Sequence, residues 1–179
     1  MKRAAALVVA ARVAVVLAQV PDFSGTWKLD ANRSRITAAA GLAGLIAAGA
    51  PDTLHITRPA NGTLVIESQI NESQARIYTP GGKSSTLVFV GPAGSITMTS
   101  RWEGGTLVSE GSRESASGTS VIVTQVKEVL ALSADGRTLE IEVTTTGADG
   151  KSASTLMYTR TQDVGPCQSW PTPCKYPPG

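Results

Sequence analysis

One histidine, two cysteines and no run of basic residues set the first limits on this chain of 179 residues. His55 by itself does not make a metal site, and no Ser or Cys nucleophile motif lies near it in sequence. It falls on the polar face of an alternating segment and reads as an exposed strand histidine. Cys167 and Cys174 both sit near the C-terminus and are not a redox C-x-x-C pair. Two thiolates supply only two ligands, so a disulfide-closed appendage fits the pair better than a metal centre. The formal charge is +2, but Lys2, Arg3 and Arg12 all precede the first acidic residue; without residues 1–18, thirteen basic side chains face fourteen acidic ones, a net charge of −1. That balance leaves no electrostatic footprint for nucleic acid. No helical run long enough for a β-α-β crossover separates the patterned segments, and no internal repeat points to a propeller. No catalytic constellation is present, so the chain reads as a non-enzyme with no cofactor and no bound metal.

What is present begins with an apolar leader. Met1-Lys2-Arg3 is a charged n-region, Ala4 to Leu17 an apolar h-region, and Val16-Leu17-Ala18 places small or aliphatic residues at the −3 and −1 sites. This predicts a signal peptide over 1–18 and a mature chain that starts at Gln19, periplasmic or secreted, with no stable membrane span after cleavage. No Cys follows the h-region, which argues against a lipoprotein. With 41% hydrophobic and 17% charged residues, the remainder suits one globular domain over 19–163 followed by a Pro-rich tail over 164–179.

The domain opens on Asp22-Phe23-Ser24-Gly25-Thr26-Trp27-Lys28-Leu29-Asp30. Phe23, Gly25, Trp27 and Leu29 share one face of an extended chain, and Ser24, Thr26 and Lys28 share the other. From Pro51 onward a period of two dominates. Leu54 and Ile56 alternate with Thr53, His55 and Thr57, and Asn61-Gly62 is a strong hairpin signal. Pro80-Gly81-Gly82-Lys83, Gly91-Pro92-Ala93-Gly94, Glu103-Gly104-Gly105, Ala134-Asp135-Gly136-Arg137 and Ala148-Asp149-Gly150-Lys151 mark further turns. A strand runs from about Ser120 to Leu132, with Ile122 and Val126 inside and a bulge plausible at Glu128. Glu140 and Glu142 alternate with Ile141 and Val143, which places the carboxylates on a solvated outer face. The sum is an all-β chain, an up-and-down antiparallel β-barrel of about eight to ten strands. A two-sheet sandwich is the structural alternative. Between the first two strands, residues 36–50 carry no charge and are rich in Ala and Gly. They read as one short helix, either packed plainly on the barrel or forming a lid over a ligand portal.

The opening segment, with Asn32-Arg33-Ser34, resembles the start of secreted bacterial lipocalin-like proteins of unknown function. Arg101-Trp102-Glu103-Gly104-Gly105-Thr106-Leu107-Val108, Leu132-Ser133-Ala134-Asp135-Gly136-Arg137-Thr138-Leu139 and Leu156-Met157-Tyr158-Thr159-Arg160 are also similar to that group. The Gly-x-Trp start is similar to that of the calycin superfamily, which includes lipocalins and fatty-acid-binding proteins. The resemblance covers about residues 22–161. It implies that Trp27 lies across the closed end of the barrel beside Gly25, with the late Arg160 packed on it. Two roles follow as expectations. In the first, the barrel encloses a small apolar or amphipathic ligand, with Phe89, Met98, Trp102 and Tyr158 as the candidate lining. In the second, it is a non-catalytic scaffold or interaction module of the cell envelope, with Trp170 in the tail as the contact point.

Overall fold

The computed structural model describes residues 20–37, 50–58, 62–69, 73–81, 84–88, 95–148 and 150–162. The leader, Phe89, most of the expected helix (38–49), and the tail with Cys167 and Cys174 lie outside these residues. Ile36, Thr37 and Ala50, at the two ends of the expected helical stretch, are not helical.

Among the described residues, ten strands form one antiparallel sheet: β1 (Gly25–Leu29), β2 (Thr53–Thr57), β3 (Leu64–Gln69), β4 (Ser73–Tyr78), β5 (Ser84–Val88), β6 (Ser95–Glu103), β7 (Thr106–Ser117), β8 (Ser120–Leu132), β9 (Thr138–Gly147) and β10 (Gly150–Gln162). The order is β4-β3-β2-β1-β10-β9-β8-β7-β6-β5. Every neighbour is thus a chain neighbour except β1 and β10, the first and last of these strands. The sheet's free edges, β4 and β5, meet at a seam. Just past the end of β4, Pro80 bridges Ser100 of β6, and the Gly81 N–H donates to the Ser100 carbonyl at 3.2 Å. The result is a nearly closed barrel.

Alternation decides what the barrel contains. Trp27, Leu54, Ile56, Leu107, Leu130, Leu139, Ile141, Val143, Leu156 and Tyr158 are all fully buried and form one inner cluster with Phe23. Their neighbours Lys28, Lys127 and Glu142 face solvent. Burying this face is the main driving force for closure, at roughly 1.5–3 kcal/mol for each large aliphatic side chain. Gly111 marks a tight approach between the adjacent strands β6 and β7: a Cβ there would overlap the Thr97 carbonyl oxygen. The tight β8–β9 turn is held by Asp135, whose carboxylate accepts from the Ser133 hydroxyl at 2.6 Å and the Arg137 N–H at 3.0 Å.

Three expectations are corrected. Val126 is buried as expected, but Ile122 is 45% accessible, because β8 runs past the neighbouring strand there. The register runs unbroken through Glu128 on both sides of β8, so no bulge is present there. His55 is not exposed but only 5% accessible; it pairs in register with Glu67, itself buried on the same outer face. The Thr26 hydroxyl lies 3.3 Å from His55 Nδ1.

Candidate functional site: a polar belt inside the barrel

The two ends of the barrel differ in chemistry. At the closed end, the chain from Pro21 to Ser24 crosses beneath the strands. The Trp27 indole N–H donates to the Phe23 carbonyl at 3.0 Å, which fixes that crossing. The Phe23 ring sits 5.7 Å from Trp102, and the Arg58 guanidinium lies 5.9 Å from the Trp102 ring centre. Arg160 stands 4.6 Å over the Trp27 ring and donates to the Asp22 carbonyl at 2.7 Å. Gly25 is buried beside them, at the start of β1. Guanidinium stacking of this kind is favourable by roughly 0.5–2 kcal/mol.

Halfway up, the interior turns polar. Arg76 and Tyr78 come from β4, Met98 from β6 and Glu128 from β8. Arg76 makes a two-pronged ion pair with Glu128, Nη1 to Oε1 at 2.9 Å and Nη2 to Oε2 at 2.7 Å. The Tyr78 hydroxyl donates to Oε2 at 2.8 Å, and Arg76 Nη2 also reaches Met98 Sδ at 3.6 Å. The Arg76 guanidinium lies 5.1 Å over the Tyr78 ring. Glu128 is fully buried and Arg76 is 6% accessible. Ser109, opposite Glu128 in the β7–β8 register, is hydroxyl-bonded to Ser100 at 2.7 Å. Nearer the other end, Arg113, Thr145 and Ser154 are also buried. The Ser154 hydroxyl there accepts the Thr37 N–H at 2.9 Å.

The electrostatics follow from burial. Loss of water, the largest single influence, would lower the Arg76 pKa, but the Glu128 carboxylate and the Tyr78 phenol together outweigh it and hold the guanidinium charged beyond its ordinary range. Arg113 is pushed the other way by burial. Burial raises the Tyr78 phenol well above its usual value, against the opposing pull of Arg76. It raises Tyr158 too, with Asp52 adding to the shift; the Tyr158 hydroxyl donates to the Pro51 carbonyl at 3.0 Å. A raised phenol pKa in the folded state gives stability that is complete below about pH 10 and is lost as pH climbs toward the folded values. An alkaline titration followed by phenolate absorbance should therefore show two of the three tyrosines ionising only in a cooperative step, together with loss of the circular dichroism of the sheet. Smooth ionisation of all three in folded protein would contradict this.

Of the residues expected to line a ligand site, Met98 sits in the polar belt. Trp102 and Tyr158 pack in the lower, closed half, and Phe89 lies outside the described residues. What the sequence reading missed is the Arg76–Tyr78–Glu128 group. Its one local signal is a carboxylate in register with the apolar residues Val126 and Leu130. Among the described residues no cluster of His, Cys, Asp or Glu is placed to hold a metal ion.

No protein-family model matches this chain, and no curated protein matches it in sequence. A solved structure does resemble it: zebrafish ileal bile acid-binding protein, complexed with cholic acid. The TM-score is 0.50 at 15% identity, with 78% of this chain and 98% of that chain covered. At that identity the likeness is one of fold. The fold shared is a nearly closed antiparallel β-barrel.

Proposed function

We propose that this protein binds a small apolar or amphipathic molecule inside its barrel, without catalysis, and does so in the periplasm or outside the cell. The observation that carries the reading is the polar belt of Arg76, Tyr78, Glu128, Ser100 and Ser109 set within an apolar interior. A barrel that needed only a core would be no less stable with aliphatic side chains there, because a buried ion pair loses in desolvation what it gains in attraction. A few fixed polar groups in an apolar enclosure are the usual means of orienting a ligand. Cholic acid, held by the similar barrel, is an apolar steroid body with polar substituents, so rigid amphipaths of that class are the first to test. The leader over 1–18 supports export.

The test is fluorescence titration with 1-anilinonaphthalene-8-sulfonate, followed by displacement with cholate and checked by calorimetry. Saturable one-site uptake reversed by cholate or a fatty acid is the expected result. Absence of saturable uptake would overturn the reading, as would native mass spectra free of any co-purifying small molecule together with no dye binding. Export is tested separately by the intact mass of the secreted protein, expected to begin at Gln19.

A further inference from the structure

The longest hairpin in the barrel extends beyond its neighbours. β6 begins at Ser95, opposite Glu114 of β7, and β9 pairs with β8 only from Gln125 onward. Residues 115–117 and 120–124 therefore pair with each other and with no other described strand. This ribbon from Ser115 to Thr124 contains no charged residue and no proline. Val121, Ile122 and Val123 are 67%, 45% and 50% accessible, three of the four exposed large hydrophobic residues among those described. Exposed edge strands usually carry a lysine, a proline or a bulge that blocks pairing, and this one carries none.

The geometry points to a second copy of this chain as the occupant of that edge. The turn has two residues, Gly118 (φ 60°) and Thr119, so Ser117 and Ser120 close it as a hydrogen-bonded pair. By alternation, Val121 and Val123 turn their N–H and C=O groups away from β7, toward the open edge. Two copies of β8 placed antiparallel about Ile122 bring Val121 of each opposite Val123 of the other, so that these outward groups satisfy one another. Ser120 then faces Thr124, and no charge faces a charge. The five residues from 120 to 124 fit in the space before β9 begins at Gln125. The contact is self-complementary and closes as a two-fold dimer. A lipid surface would cover the valines but leave their backbone groups unpaired. The small span makes the dimer weak and concentration-dependent.

Sedimentation velocity on the full chain, from a few micromolar to several hundred, tests this. The wild type should move reversibly from monomer to dimer as concentration rises. Val121→Lys/Val123→Lys, which sets like charges opposite one another, should weaken the dimer by at least ~10-fold in dissociation constant. Val123→Pro, which removes an outward N–H, should do the same. Circular dichroism and melting of the lysine variant should match the wild type, since both side chains are exposed. A wild type that stays monomeric across the range would overturn the proposal. So would dimerisation unchanged in the lysine variant, or a monomer that instead sediments with phosphatidylcholine/phosphatidylglycerol vesicles through the same valines.

Discussion

Glu128→Ala should lower the stability of the barrel by about 3–5 kcal/mol, the usual result of stripping one partner from a buried ion pair. The deletion leaves the Arg76 guanidinium charged, 6% accessible and without its two carboxylate contacts. It also removes the acceptor of the Tyr78 hydroxyl. Against a total stability of about 5–15 kcal/mol for a domain of this kind, that is a large fraction. Urea unfolding followed by circular dichroism measures it as a fall in midpoint at constant slope. The double variant Arg76→Met/Glu128→Leu separates two accounts of the loss. If the harm lies in an orphaned charge, the double variant should recover most of it and match or exceed the wild type. If the two-pronged pair is itself strongly stabilising, both variants should be equally weak. A loss below about 1 kcal/mol for Glu128→Ala would show that water reaches the guanidinium in its place.

The ion pair has a position that suits a binding barrel. Arg76 lies on β4, one of the sheet's two free edges, and Glu128 on β8, in the opposite arm of the strand order. The pair therefore ties an edge strand across the interior, where neighbouring hydrogen bonds hold it on one side alone. The same atoms divide the interior into an apolar floor and a more polar upper region. Under the proposed function, structural restraint and ligand orientation would fall to the same group of side chains.

How far the sequence revealed this depends on the range of the interaction. Turns are local, and Asp135-Gly136 and Gly104-Gly105 stand where their chemistry puts them. Alternation is also local: Leu139, Ile141 and Val143 face inward, and Glu140 and Glu142 outward. The strand from Ser120 to Leu132 has the bounds that its pattern suggested. The polar belt was not legible, because its partners are 52 residues apart. In Gln74-Ala75-Arg76-Ile77-Tyr78, Ile77 is the obvious apolar residue, yet Arg76 and Tyr78 face the interior. A strand has only two faces, so misjudging one residue reverses all of them. Glu128 looked like a register fault for the same reason: a carboxylate in an apolar row makes no sense until the arginine across the barrel is known. His55 misled in the opposite direction, since polar-face alternation says nothing about whether that face is covered.

Trp27→Ala is expected to be the most damaging single change at the closed end, costing about 3–5 kcal/mol. The indole is fully buried, and it links three elements at once. Through its ring it carries Arg160 of β10, at 4.6 Å; through its N–H it holds the Phe23 carbonyl, at 3.0 Å. Phe23 in turn packs on Trp102 of β6, so the crossing chain bridges strands that the sheet order keeps apart. Truncation leaves a cavity in the floor, frees the crossing segment and removes the face on which Arg160 stacks. Trp27→Phe keeps most of the buried area but loses the N–H, and should cost about 1–2 kcal/mol. Arg160→Ala should fall in the same smaller range, because the floor itself stays filled. Chemical denaturation of the three variants gives the order directly. If Trp27→Ala were no worse than Arg160→Ala, the floor would not depend on the indole. Ligand uptake supplies a second criterion: the belt at Glu128 lies above the floor, so Trp27→Phe should bind the dye as the wild type does. A well-folded Trp27→Phe that had lost dye binding would move the ligand site down into the closed end.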